Sequence, residues 1–206
     1  ALPPLPAGLE ESVRGISALR TPTREFYRID TALVIPRVSA DSWSLTIDGE
    51  VDTPFRLTYA ELLAMPMVER DITLTCVSNE VGGPYIGGAR WLGVRTSDLL
   101  ERAGVRPGVD QIFSHSSEGM TISTPVQALL DDRESLVAVA MNGEPLPARH
   151  GFPARLVTPG LYGFVGATKW LTRLEATTYA RQSAYWTDRG WATDAPILTQ
   201  SRIDTP

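Results

Sequence analysis

Cysteine is all but missing from this chain: its 206 residues contain one, Cys76. A lone thiol excludes an internal disulfide and any zinc or iron–sulfur centre assembled from several cysteines of one chain. Histidine is nearly as scarce, with only His115 and His150 present, so a cysteine nucleophile would have few bases to draw on. Cationic excess is lacking too. The net charge of −5 offers no broad face for a phosphate backbone, so nucleic-acid binding is not expected, although a small anion needs only a few local arginines. No stretch approaches the roughly 18 uninterrupted apolar residues of a membrane span. The opening ALPPLPAGLEES has no basic segment leading into an apolar one, unlike a secretory signal. A chain that starts at Ala1 and stops at Pro206 reads as a piece excised from something longer. What is present, 43% hydrophobic and 21% charged residues, is the balance of an ordinary folded domain rather than a disordered chain.

Short elements alternate along the sequence. Residues 1–22 are rich in Pro and Gly and predict an extended arm, leaving 23–206 as the functional domain. Period-two alternation over 43–49 predicts a strand entering a hairpin through a turn at 49–52. Thr58 and Glu61 have the spacing of a capping box, which predicts a short helix ended by Pro66. Residues 71–76 alternate again, with β-branched members, so Cys76 is expected at a strand end. The following stretch, 77–90, carries Gly82, Gly83, Gly87 and Gly88 and reads as a loop at the rim of a site. Residues 97–104 predict a capped helix with a terminal glycine, and 125–131 a second one. Residues 136–141 and 155–158 predict strands connected through an Asn142-Gly143 turn. Short strands mixed with short helices indicate the α+β class, with mixed β-sheets.

Two regions can carry chemistry. Cys76 is either a small packed hydrophobe, a nucleophile, or a thiolate ligand. One soft sulfur leaves most of a metal's coordination positions unfilled, so a metal bound here must bring ligands of its own. The second region, 150–171, is dense in Gly and holds Arg155 and Lys169. A guanidinium fork and an ammonium point charge suit a phosphate, unless both are simply solvated.

Thr73-Leu74-Thr75-Cys76-Val77-Ser78-Asn79, then His150-Gly151-Phe152-Pro153-Ala154-Arg155 running on to Gly160, then Lys169-Trp170-Leu171, follow one another in order. Together with Phe26-Tyr27-Arg28-Ile29-Asp30 they resemble the molybdopterin-binding domain of the sulfite oxidase family, including its bacterial methionine sulfoxide reductase-like members. The resemblance covers about residue 21 to the C-terminus and implies that family's α+β fold and a molybdenum-dependent oxidoreductase.

It further implies that Cys76 is the protein ligand of a molybdenum otherwise held by molybdopterin, in the mononucleotide form with no added nucleotide. Tyr27, Arg28, Asn79, Ser114, His115, His150, Arg155, Gly163, Phe164, Val165 and Lys169 match positions that hold the cofactor. Cys76 and Arg28 are the residues expected in catalysis. The implied partners are a small sulfur oxyanion or sulfoxide and a haem or other one-electron carrier. A membrane-bound partner, or a membrane segment outside this sequence, and an extracytoplasmic location follow from the same resemblance.

The sequence also departs from the family. Its active-site tyrosine falls near Met120, and an arginine pair after the asparagine is replaced by Glu80-Val81, where a carboxylate would repel sulfite. These losses motivate an alternative expectation, a catalytically reduced molybdopterin-binding or interaction module.

Overall fold

The computed structural model describes residues 13–205, so positions 1–12 of the expected arm lie outside the described residues. Among these residues the strands are β1 (Ser44–Gly49), β2 (Phe55–Thr58), β3 (Val68–Thr75), β4 (Ile86–Arg95), β5 (Gln111–Ser116), β6 (Thr121–Pro125), β7 (Leu136–Met141), β8 (Glu144–Pro145), β9 (Arg155–Val157) and β10 (Leu171–Thr177). The α-helices are α1 (Tyr59–Leu63), α2 (Thr96–Ala103), α3 (Val126–Leu130) and α4 (Gly163–Gly166). One sheet runs β2-β1-β10-β5-β6, and the other runs β3-β4-β7-β8 with β9 also on β7. Only β1 and β10 pair in parallel; the other pairings are antiparallel. The architecture is α+β with mixed sheets and few short helices.

Local signals explain several elements. Thr58 accepts from Glu61 N while the Glu61 carboxylate accepts from Thr58 N, which closes the capping box and starts α1. Gly104 closes α2 in the left-handed conformation, φ +69, which glycine adopts without a Cβ penalty. That helix begins one residue before the expected Ser97, and Arg95 precedes it without a side-chain cap. Asn142 and Gly143, both at positive φ, turn β7 into β8.

β7, Leu-Val-Ala-Val-Ala-Met, is buried on both faces. Val137 and Val139 enter a core shared with Leu45, Ile47, Leu99 and Leu174, while Leu136 and Ala138 join Phe26, Leu74 and Trp91 in a second, as does Met141 beyond a register shift in the pairing with β4. Period two thus divides one apolar run between two layers.

The expected rim loop is shorter than its glycines suggested. β4 already begins at Ile86, so Gly87 and Gly88 are strand residues. Their lack of a side chain serves a close approach: a Cβ on Gly88 would stand 2.5 Å from Leu19 O, and one on Gly87 would stand 2.8 Å from the Phe26 ring. Thr21 N donates to Gly88 O at 2.8 Å. Bare backbone on β4 therefore lets residues 19–26 lie against the second sheet and carries Phe26 and Tyr27 to the site.

Candidate active site

β3 ends one residue before Cys76. Cys76 N donates to Tyr85 O at 2.9 Å, and Asn79 N donates back to Cys76 O at 3.0 Å. Asn79 Oδ1 accepts from Tyr85 N at 2.7 Å, so this amide braces the loop behind the cysteine and is not part of the cleft wall. The half-buried Cys76 opens onto a cleft enclosing about 1040 Å³ of empty space, counted out to its mouth.

The same cleft collects residues from five other places in the chain: Tyr27, His150, Arg155, Gly163 with Phe164, and Lys169. Tyr27 stacks on Phe26 at 5.4 Å, and its hydroxyl is 3.8 Å from where a Gly163 Cβ would sit. Burial pushes that phenol up to about 12, partly offset by Arg155. Arg155 is 5% exposed. Burial pulls it down to about 10. Its Nη1 donates to His150 O at 3.1 Å and its guanidinium lies 5.1 Å from the Trp91 ring, yet its buried Nε has no partner among the described residues. Lys169 is also buried and is drawn down to about 8 by desolvation, with Asp30 opposing through a direct ion pair. Burial alone would raise Asp30, but hydrogen bonds from Arg28 and Lys169 outweigh it and hold the carboxyl below its ordinary range.

His150 Nε2 donates to Thr23 O at 3.1 Å, which leaves Nδ1 buried and without a partner among the described residues. Burial, reinforced by Arg155, lowers this imidazole from 6.5 to about 4. It therefore stays neutral at pH 7 with Nδ1 as a free acceptor. The unfolded chain takes up this proton near pH 6.5 and the folded one only near 4, so stability falls with acidification through that window. The loss amounts to about 3 kcal/mol. Thermal unfolding at pH 7 and 4.5 is expected to show this slope in the wild type and roughly one fewer proton taken up on unfolding in His150→Gln.

Other expected residues lie elsewhere. Arg28 is not on the cleft wall; it clamps Asp30 through Nε at 2.8 Å and Nη2 at 3.0 Å, so it acts on the cleft through that carboxylate. Ser114 lies beneath the wall and contacts the cleft residue Thr168 at 2.5 Å. Val165 is buried below Phe164, with its carbonyl accepting from Thr124 Oγ1. His115 is not brought to the cleft: strand alternation turns it away from Ser114 and Ser116, toward Glu175 at 3.1 Å. Glu80 is likewise exposed and off the wall. The acidic residues at the cleft are instead Asp30 and Glu118, the latter bonded to Thr31 Oγ1 at 3.2 Å. Sequence reasoning did not select Asp30, Thr168, Trp186 or Trp191 as site residues; only Asp30 carried a signal, within the motif around Tyr27.

Arg28 and Lys169 share one carboxylate, Asp30, while the buried Arg155 is bonded to His150 O rather than to an acid; with Glu118 as the cleft's other carboxylate, three cations less two anions leave one positive charge. Together with the unpartnered Arg155 Nε and His150 Nδ1, that surplus suits a phosphate joined to a heterocycle with hydrogen-bonding edges. Molybdopterin has that chemistry, and Cys76 adds a soft sulfur on the same wall.

The sequence pattern of the oxidoreductase molybdopterin binding domain matches residues 32–186. The chain is 36% identical over 149 residues to the uncharacterized oxidoreductase YuiH of Bacillus subtilis, covering 72% of each protein. It is 30% identical over 198 residues to mitochondrial sulfite oxidase of Rattus norvegicus, covering 84% of this chain but 36% of that protein. The sulfane dehydrogenase SoxCD of Paracoccus pantotrophus superposes with a TM-score of 0.71 at 27% identity, covering 79% of this chain and 44% of that one. The chain thus spans about a third of the sulfite oxidase's length.

Proposed function

Since the chain belongs to the oxidoreductase molybdopterin binding domain family and is an enzyme of that family, we propose that Cys76 is its thiolate ligand to molybdenum. The reaction is oxygen-atom transfer on a small sulfur oxyanion or sulfoxide. The observation that carries this reading is a shared cleft: Cys76 opens onto the same space as buried Arg155, whose Nε has no partner, and buried Lys169.

When bound, the molybdenum cofactor supplies the two-electron chemistry. The protein's part is to hold and orient it. Arg155 and Lys169 receive the phosphate, the first through a planar fork and the second as a point charge whose proton the phosphate secures. Neutral His150 offers Nδ1 as an acceptor to a ring N–H, while Tyr27 and the backbone at Gly163 and Phe164 line the pterin. Arg28 sets Asp30, and Asp30 sets Lys169. Cys76 remains half-buried at the strand end, where Asn79 and Tyr85 fix its backbone.

Electrons are exchanged singly with a haem or another one-electron carrier, which belongs to this proposal, as does a location outside the cytoplasm. The test is elemental analysis and visible spectroscopy of protein made in a host that assembles the cofactor. One molybdenum per chain and a spectrum that responds to a reductant are expected. Protein without molybdenum overturns the reading, and bound metal with no response to any reductant or oxo compound favours a catalytically silent module.

A further inference from the structure

Gly151 draws the two buried cations of the cleft together. At φ +107 and with no side chain it leaves room for both, since a Cβ there would stand 3.1 Å from Lys169 Cβ and 3.2 Å from Arg155 Cβ. Two like charges packed on one glycine, out of water, each make the other harder to keep. A guanidinium holds its proton in such surroundings, whereas a buried ammonium gives its own up readily. Lys169 is therefore the weaker member of the pair, although a phosphate needs its charge.

The compensation comes from the segment after Tyr27. Asp30 is paired with Lys169, and the two side chains are 6% and 8% exposed. Arg28 grips the same carboxylate from behind through Nε at 2.8 Å and Nη2 at 3.0 Å, and Nη2 also donates to Ala32 O at 3.2 Å. Cation, anion and cation thus form a relay, with only Asp30 and Lys169 on the cleft wall.

By charge alone, a carboxylate beside a phosphate site is a liability, because it repels the anion that Lys169 attracts. Its place is explained by the lysine's proton. Burial, Arg155 and Arg28 all pull Lys169 down, and the hydrogen bond and charge of Asp30 oppose them. The other groups nearby do not substitute for it: the Trp170 ring, 4.8 Å from Nζ, is uncharged, His150 is neutral at pH 7, and the Glu118 carboxylate is bonded to Thr31.

We propose that Asp30, fixed by Arg28, is a positioning residue that keeps Lys169 charged and so sets the upper pH limit for holding the phosphate of the cofactor. This rests on the molybdopterin reading above, which puts that phosphate at Arg155 and Lys169. Without the carboxylate, Lys169 loses its proton at a lower pH than in the wild type, and anion binding fades as pH rises through that lower value.

Sulfate is the probe, since it keeps its double charge where phosphate titrates. It is titrated by calorimetry into the cofactor-free chain at pH 5.5 and 7.5. Wild type, in which Lys169 loses its proton at about 8, is expected to bind sulfate within about threefold at the two values. Asp30→Asn should bind at least as tightly as wild type at pH 5.5, where a repelling charge has gone, yet about tenfold or more weakly at pH 7.5 than at 5.5. Adding Lys169→Arg, whose guanidinium stays protonated, should flatten that profile. A profile for Asp30→Asn as flat as wild type, a double variant with the same fall, or no saturable sulfate binding to wild type at pH 5.5 overturns the inference. Molybdenum is measured on protein from a host that assembles the cofactor. Wild type that never takes up molybdenum overturns the proposed function, while molybdenum-loaded wild type whose Asp30→Asn form keeps a flat profile overturns the role of Asp30 alone.

Discussion

Serine in place of Cys76 is expected to leave the fold intact and to abolish the redox response. The backbone bonds at this position, to Tyr85 O and from Asn79 N, do not use the sulfur, and the side chain is only half-buried. Thermal unfolding of the cofactor-free variant should stay within about 2 °C of wild type, as for a near-isosteric change away from the core. The metal site responds differently. A serine hydroxyl does not ionise near neutral pH and is a hard oxygen, so it replaces an anionic, polarisable ligand poorly. Loss of a supporting residue outside the coordination sphere already costs about 10–100-fold in metal sites, and loss of the ligand itself should cost at least about a hundredfold in activity or retained molybdenum. Undiminished metal content together with an unchanged response to reductant would remove Cys76 from the coordination shell.

Arg155→Met should separate stability from cofactor binding by moving them in opposite directions. Arg155 is buried and depressed to about 10, which means that folding disfavours its charged form. Keeping that charge in the cofactor-free protein costs about 3 kcal/mol. Methionine removes the penalty at similar length, and the losses to set against this are one hydrogen bond to His150 O and the contact with Trp91. The cofactor-free variant is therefore expected to melt no lower than wild type. Retention of the phosphate-bearing cofactor should fall by about 30- to 1000-fold, the effect of deleting one member of a buried charged pair. A variant that unfolds at a clearly lower temperature while keeping its cofactor would assign Arg155 to the scaffold.

Much of the scaffold was readable because it rests on local chemistry. The Thr58 and Glu61 capping box, the glycine closing α2 and the Asn142-Gly143 turn each satisfy backbone groups within a few residues, so their spacing is enough. The unread elements failed for a physical reason. β5 and β6 carry Ser114, Ser116, Ser123 and Thr124 toward the interior, so the usual contrast between apolar inward and polar outward positions is blurred. Gly87 and Gly88 have the composition of a loop but sit in β4, where the partner that needs their bareness, residues 19–26, comes from far away in the chain.

The candidate site divides along the same line. Which residue types are available was a matter of sequence: a unique thiol, the cations Arg155 and Lys169, and the run from Phe26 to Asp30. Which of them share a cavity was not. Arg28 and Lys169 look alike as phosphate ligands in a string of letters, yet Asp30 ties Arg28 behind the wall while Lys169 remains on it. His115 and Ser114 are neighbours, and strand alternation sends only the serine inward. The Trp186 and Trp191 indoles depend on a turn at Gly190 docking against β6 and the 160–164 loop. Desolvation, charge pairing and facing are properties of surroundings gathered from distant parts of the chain, and those surroundings come into being only when it folds.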